Sequence, residues 1–519
     1  MNSLFFRSTP IVRCGVIPYK ESWRQVYGIL FFISTTNTLV AQPDSINTAS
    51  RAFSHYVEIG AITSTTPTRT PFWLRANQYG IVPVNSSAGM IRAGSTGQWT
   101  RLNSRVKPVV QYGVEVVGLQ TQKSKALLPE AFVSAGLGKF YLYAGRKREV
   151  IGLGDSTLSS GFVTWSQNAL PIPKIQFGTN GFVTVPFTRG VLAINALYAH
   201  GWFPSTDSMK RAYLHQKALY GRIGKPNWPV RFYGGLVHHV QWGGYSHFLG
   251  EKHSRNGQLP SSLKDYPFIV LAKQPGQLET DSYSKHDGIN RFGNHIGSID
   301  IGAETSLKQW LMLTYYQHPF EDKSGLALYN LPDGLYGLSL KRRQSARTAA
   351  FTLSHILVEY LTTLSQSGST VDLPDTHYEG VDDYFNNFQY LDGWTSGQRV
   401  LGTPFICRRP DVQVQWQPSQ GRVFTIANNR VQMLHVGLSG SLRSQAEVQL
   451  LLSVSRNYGL FRTPFSKAVN QVSGVARVSI PVPWLAGSDL GAALAIDQGS
   501  LLTPTLGGWL SLRKTWSRR

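Results

Sequence analysis

Several stretches of the chain alternate apolar and polar side chains with a period of two. In one of them Val448, Leu450, Leu452 and Val454 share a face opposed by Glu447, Gln449, Ser453 and Ser455, with Leu451 the exception on the polar side. Ile299, Ile301 and Ala303 stand likewise against Asp300, Gly302 and Glu304, and Val472, Ala476, Val478 and Ile480 against Ser473, Arg477 and Ser479. Successive side chains of a strand point to opposite faces, so this pattern predicts strands with one face for hydrocarbon and one for water. Such segments are read at 55–65, 87–99, 108–122, 130–137, 139–147, 180–186, 189–202, 215–224 and 229–242. They continue at 297–305, 308–317, 334–342, 350–365, 429–441, 444–457, 470–482, 488–498 and 507–516. Most reach the roughly 9 to 11 residues that a tilted membrane-crossing strand needs, whereas no uncharged apolar run of about 18 residues follows the N-terminal region. Strands cross a bilayer only as a closed barrel.

The connections sharpen that reading. Short ones at Gly138, 187–188, 225–228, 306–307, 442–443 and 483–487 alternate with long ones at 148–179, 203–214, 243–296, 318–333 and 366–428. Short periplasmic turns in step with long extracellular loops mark a bacterial outer-membrane barrel, and an even strand number returns both ends to the periplasm. The predicted fold is therefore all-β: a closed antiparallel transmembrane β-barrel of about 18 strands over residues 55–516. One helix is expected in the first outer loop, with Thr70 as cap, Pro71 at the first helical position, Phe72, Trp73, Ala76 and Tyr79 on one face, and Gly80 at the exit.

Composition agrees with many short strands and aromatic girdles: 50 Gly, 13 Trp, 23 Tyr and 25 Phe, with 15% charged residues. Residues 1–41 read as a removable signal peptide, with basic residues Arg7, Arg13, Lys20 and Arg24, an apolar run from Tyr27 to Ser34, and small Ala41 before Gln42. Residues 42–54 then form a short periplasmic segment. Cys14 falls in the leader and Cys407 is left alone, which excludes an intramolecular disulfide framework. The leader's four basic residues stand against Glu21 alone, so its removal takes the formal charge from +22 to +19. That charge is scattered along the chain. A nucleic-acid binder gathers it on one element among aromatics, so the expected polyanions are lipopolysaccharide or an acidic glycan.

The densest run of rings, amides and carboxylates is Asp382, Asp383, Tyr384, Phe385, Asn386, Asn387, Phe388, Gln389 and Tyr390, ending at Trp394. Ring faces cover the apolar side of a pyranose and amides or carboxylates pair its hydroxyls, so Asp382, Asp383, Tyr384, Asn386, Asn387 and Trp394 are glycan-binding candidates. The same residues suit a self-packed plug, which is the favoured reading for any single one of them. Arg148, Asp155, Trp165 and Asn168 in the 148–179 region join the candidates. Arg146, Lys147, Arg148, Glu149 and Asp155 suit a sugar acid, though lumenal ion pairing is favoured. No metal or other cofactor is called for. Asp382 and Asp383 lack the spaced ligands of a calcium loop, His238 and His239 face opposite sides of one strand, and His355 and His435 stand apart. Gly152-Leu153-Gly154 is too short for a phosphate loop, and no nucleophile elbow marks a catalytic serine.

Certain segments carry a family resemblance: Pro71-Phe72-Trp73-Leu74 with Asn77-Gln78-Tyr79-Gly80, Ala144-Gly145-Arg146, Gly152-Leu153-Gly154-Asp155 and Asn168-Ala169-Leu170-Pro171. To these add Tyr316-Gln317-His318-Pro319-Phe320-Glu321-Asp322, Gly393-Trp394 and Leu401-Gly402-Thr403-Pro404. In this order and spacing the chain resembles the capsule assembly Wzi family over its whole mature length. The resemblance implies an eighteen-stranded outer-membrane barrel that acts as a non-enzymatic surface lectin, holding capsular or extracellular polysaccharide on the cell. The better-known branch of that family has a periplasmic helical bundle before the barrel, for which residues 42–54 are too few. The alternatives are a porin or, less favoured, an outer-membrane esterase, and the chain is expected to be a monomer.

Overall fold

The computed structural model describes residues 49–85, 87–101, 106–276, 283–343, 350–368, 382–417, 424–443 and 445–518. The expected signal peptide, residues 42–48 and parts of the 366–428 loop lie outside the described residues.

Eighteen strands build the wall. They are β1 Ala49–Ser64, β2 Ala88–Arg101, β3 Val109–Gln120, β4 Ser124–Leu137, β5 Phe140–Arg146 and β6 Lys174–Thr179, the last continued by Val183–Thr184 against the same neighbour. Then come β7 Leu192–Trp202, β8 Tyr213–Ile223, β9 Val230–Trp242, β10 Asn294–Ser306, β11 Trp310–Phe320 and β12 Gly334–Arg342. The wall ends with β13 Phe351–Thr362, β14 Val431–Leu442, β15 Ala446–Gly459, β16 Pro464–Pro481, β17 Ser488–Gly499 and β18 Thr505–Arg518. Each strand pairs antiparallel with its neighbours in sequence, and β1 pairs with β18, with Ala61 opposite Leu510, which closes the sheet. Among the described residues the closed wall leaves no strand edge for an outside chain to pair with.

Three strand starts and one whole strand depart from the sequence reading by more than three residues. β1, β4 and β16 each begin six residues early, at Ala49, Ser124 and Pro464, so part of the expected periplasmic segment is strand. β6 lies at Lys174–Thr179 instead of 180–186. Ile175 and Phe177 face outward there while Lys174 and Gln176 are buried inside, an alternation short enough to be hidden by Pro171 and Pro173. At 180–186 the chain turns at Gly181, which has φ 71°.

In β15 the two faces fall as expected: Leu450, Leu452 and Val454 are 45, 50 and 45% exposed on the lipid side and Ser453 is 1% exposed inside. Leu451 also faces inward, packed in one cluster with Leu158 of the 147–173 loop. Gly437 of β14 makes room for that loop, because a Cβ there would lie 2.9 Å from the Leu158 Cβ. The exception in the alternation is thus a contact with a loop inside the barrel. Leu452→Arg is expected to cost about 2 to 4 kcal/mol of barrel stability if measured by refolding into lipid, against much less for Ser479→Arg on the water-lined inner face. Equal losses would mean the register is off by one residue. Ser453, which the pattern alone marks as a tolerant inner site, is not one, since it is buried in a 2.8 Å hydrogen bond with His435 Nδ1.

The long connections all leave from one end of the barrel and fold back onto it. In residues 65–87 the helix is a single turn, Phe72–Arg75, with Ala76 already extended, so it ends well before Gly80. Thr70 does not cap it. The Phe72 amide donates instead to Asp497 Oδ2 of β17 at 2.8 Å, so the far wall satisfies the helix start. In residues 243–293 a short helix, Tyr266–Leu271, buries Ile269 against Val240 and Trp242. Those residues share the β9 face of outward-pointing Phe232 and Leu236, so this loop covers the outside of the wall near its rim.

Candidate functional site

Inside the outer mouth, residues 65–87, 147–173 and 363–430 meet in two apolar clusters. One centres on Trp73, Leu158, Phe405, Met433 and Leu451, the other on Trp165, Phe203, Tyr384, Tyr390, Trp394 and Ile426. A plug with a core of this kind holds its shape by the same burial that holds a soluble domain.

The Asp382 to Trp394 segment turns inward as part of that plug. The Tyr384 hydroxyl donates to Asp333 Oδ2 at 3.1 Å and accepts from Asn330 Nδ2 at 2.7 Å. Asp382 accepts from Ser367 Oγ at 2.9 Å, and Asp383 accepts from the side-chain amides of Asn386 at 3.0 Å and Asn429 at 2.6 Å. Asn386 Oδ1 accepts from the Ile426 amide at 3.2 Å. Asn387 accepts from the amides of Gln389 and Tyr390 and donates to Asn294 at 3.2 Å. Trp394 is fully buried, its indole N–H donating to the Thr164 carbonyl at 2.8 Å and its ring lying against Trp165, Phe203 and His239. The self-packed reading therefore describes this segment, and the rings of Tyr384 and Trp394 present no face to solvent. Asp383 and Asn387 are half-buried, as is Phe388 beside them.

Acidic groups gather where this segment meets residues 321–333. Burial, aided by the charge of Asp322, lifts the Asp382 carboxyl to about 8, and burial lifts Asp333 to about 6. Glu321, which accepts from the Phe385 amide at 2.9 Å, is pushed well above the usual carboxylate range by burial and then by Asp382. Asp383 is raised by burial as well. Among the described residues no set of three or more His, Cys, Asp or Glu is arranged to hold a metal ion.

The 147–173 loop is fastened to the wall by carboxylates. Glu359 of β13 accepts from Ser159 Oγ at 2.8 Å, from the Ser160 amide at 2.6 Å and from the Tyr315 hydroxyl. Asp155 meets His355 Nε2 at 2.6 Å and Lys341 Nζ at 3.1 Å. Burial would raise that carboxyl, but hydrogen bonds from His355, Ser339 and Thr157 hold it well below its usual range. His355 is thus paired, contrary to its isolation in the sequence. Ser339 approaches the same Nε2 at 3.1 Å, and because Asp155 and Ser339 share one ring nitrogen, the carboxylate cannot orient the ring toward the hydroxyl as a nucleophilic triad requires. Trp165 is buried with Lys174 Nζ 5.3 Å from its ring centre, and Asn168 is buried with its side chain donating to the Val400 carbonyl at 3.0 Å. Arg148 lies 2.5 Å from Glu115, so ion pairing describes this group too.

Below the plug the lumen holds a cavity of about 1040 Å³, bounded above by Trp73, Tyr79 and Phe162 and on the wall by Arg477, Trp509 and Arg513. Arg148 is the one sequence candidate that reaches it. Trp509, Ser511, Arg513 and Thr515 alternate with Leu510 and Leu512 along β18, and that inward face was the signal available in the sequence. On the opposite, outer face of the plug, Arg462 lies exposed 4.8 Å from the Phe388 ring centre, with His253 stacked on the same ring and Phe424 edge-on to it.

No family model and no curated protein matches the chain. Solved structures do. Wzi of Escherichia coli, described as a carbohydrate-binding β-barrel and an outer-membrane protein involved in group 1 capsule assembly, matches over 88% of this chain and 83% of its own, with TM-score 0.52 and 12% identity. OccAB4 of Acinetobacter baumannii matches over 90 and 98% with TM-score 0.44 and 7% identity, and OccD3 of Pseudomonas aeruginosa over 90 and 92% with TM-score 0.41 and 8% identity. The fold is shared: the chain is a closed eighteen-stranded barrel of the bacterial outer membrane. Its apolar outer band and water-facing interior fit that setting.

Proposed function

We propose that this barrel holds capsular or extracellular polysaccharide at the cell surface, as a Wzi-like anchor, without catalysing a reaction. The observation that carries the reading is the plug. Its two apolar clusters fill the outer mouth, which suits a protein that presents a fixed outer surface better than one that passes solutes. The fold likeness to Wzi of E. coli, itself described as carbohydrate-binding, supports the same reading.

The contact surface assigned under this proposal is the outer face around Asn387, Phe388 and Arg462, with Tyr384, Asn386 and Trp394 framing it from beneath. Half-buried Phe388 holds exposed Arg462 in place as a charge for acidic sugars, and Asn387 adds an amide. Phe388→Ala with Arg462→Ala removes contacts of about 1 kcal/mol each, so polysaccharide is expected to shift several-fold from cell surface to medium. Heat-modifiable gel mobility reports folding independently. A folded double variant that keeps wild-type surface polysaccharide would refute the assignment. The channel reading makes the opposite forecast for purified protein in planar bilayers: steady single-channel conductance under it, a closed baseline under ours.

A further inference from the structure

The lumenal cavity differs in kind from the plug above it. It reaches the short-turn end of the wall at Ser441, Glu447, Asp489 and Thr515, near the ends of β14, β15, β17 and β18. Its roof is the underside of the plug. A ligand of this cavity therefore enters from the periplasmic end, not from the cell exterior.

Of its four arginines, two are matched by carboxylates and Arg513 lies over the Tyr56 ring at 3.8 Å. Arg92 lies 3.1 Å from Glu58 and 3.3 Å from Glu115, and Arg148 lies 2.5 Å from Glu115. Arg477 is not. Its guanidinium donates to Gln449 Oε1 at 2.6 Å and to the Trp73 carbonyl at 2.6 Å, both neutral acceptors, and among the described residues no carboxylate stands within ion-pair distance. Two of its five donors are used, and the group is half-buried on the wall of the cavity. Trp509 lines the same space with its ring half-buried, whereas Trp73 is enclosed by the plug and offers its carbonyl alone. Tyr79 adds a second ring, with Arg148 positioned 5.1 Å from its centre. Between the rings run the hydroxyls of Ser439, Ser441, Ser479 and Ser511, while Glu447 and Asp489 stand at the rim.

Half-buried ring faces, a row of hydroxyls and a guanidinium held only by neutral acceptors are the complement of an acidic sugar. We propose that this cavity is a separate saccharide site, entered from the periplasm, that takes the end of an acidic glycan with its carboxylate on Arg477 and its ring faces on Tyr79 and Trp509. The rim carboxylates accept hydroxyls of the next sugar. The proposal stands independently of the outer-face reading, since it concerns the other end of the lumen.

Titration calorimetry on the folded, purified barrel tests it with three probes: a uronic-acid trimer, a neutral hexose trimer and sulfate. The uronate trimer is expected to bind saturably and at least about tenfold more tightly than either of the others. Arg477→Gln should lose about that factor and Arg477→Lys regain part of it. Ser511→Trp, which fills the cavity without touching the plug, should abolish binding even if Arg477→Gln disturbs the Trp73 contact. Equal affinity for the neutral trimer or for sulfate would overturn the proposal, as would wild-type affinity in Ser511→Trp. For direction of entry, a bulky maleimide on Ser441→Cys should block uronate binding while the same label on Ser205→Cys in the outer 203–212 loop leaves it intact; the reverse result places the entrance outside.

Discussion

Trp394→Ala is expected to destabilise the plug by about 3 to 5 kcal/mol while leaving the wall assembled. The residue is fully buried between Trp165, Phe203 and His239, and its indole N–H is used by the Thr164 carbonyl, so truncation leaves both a void and an unmet acceptor. None of these losses touches the strand ladder, so heat-modifiable mobility should persist. The reporter is Cys407, the lone free cysteine among the described residues. It is buried in the plug, and burial pushes its thiol up to about 12, so it reacts with a maleimide only when the plug opens. A change of that size in the local opening equilibrium should raise labelling by about a hundredfold or more. Wild-type labelling rates in the folded variant would mean that Trp394 fills space the plug does not need.

Raising the pH from about 4 to 8 is expected to loosen the same plug. Asp333, Asp382, Asp383 and Glu321 all have folded pKa values above their ordinary ones, chiefly through burial. In this window the folded state keeps protons that the open state has released, so stability falls with rising pH. For Asp333 the loss runs from about 4 to about 6 and amounts to roughly 3 kcal/mol. For Asp382 it extends to about 8. The opposing charges are few: Arg462 acts on Asp383, and Arg430 lies near Asp333. Cys407 labelling, corrected for the reagent's own pH dependence, reads the effect. Asp333→Asn should make the slope between about 4 and 6 shallower by that share, about 3 kcal/mol over the interval, and leave the slope between about 6 and 8 unchanged. A plug that tightens toward pH 8 would contradict this assignment of the four carboxyls.

The wall was legible because lipid and water impose opposite demands on alternate residues, and Leu450, Leu452 and Val454 report that directly. The plug was not, because its residues answer to partners hundreds of positions away. Leu451 looked like an error of alternation until Leu158 stood against it, and Thr70 looked like a cap because Asp497 cannot be seen to approach from sequence. The candidate segment was found, but rings and amides serve a buried network as well as a sugar, and only the structure separates Trp394, which is enclosed, from Phe388, which reaches the surface. Arg477 escaped notice for a related reason. Its alternation placed it inside, yet whether an inward arginine is matched by a carboxylate depends on neighbours across the lumen.

The first outer loop is anchored by residues made at the end of the chain: the Phe72 amide to Asp497, 425 positions on, and the Trp73 carbonyl to Arg477, 404 positions on. These contacts rank among the most non-local in the molecule, and non-local contacts form late and slowly. The lid therefore cannot seat on a growing barrel. Until β16, β17 and β18 are in place it has nowhere to dock, and those are the strands whose arrival lets β1 meet β18. Seating of Trp73 and closure of the seam are thus coupled late steps of one assembly process, and a chain halted before β16 would carry an open edge and an empty mouth together.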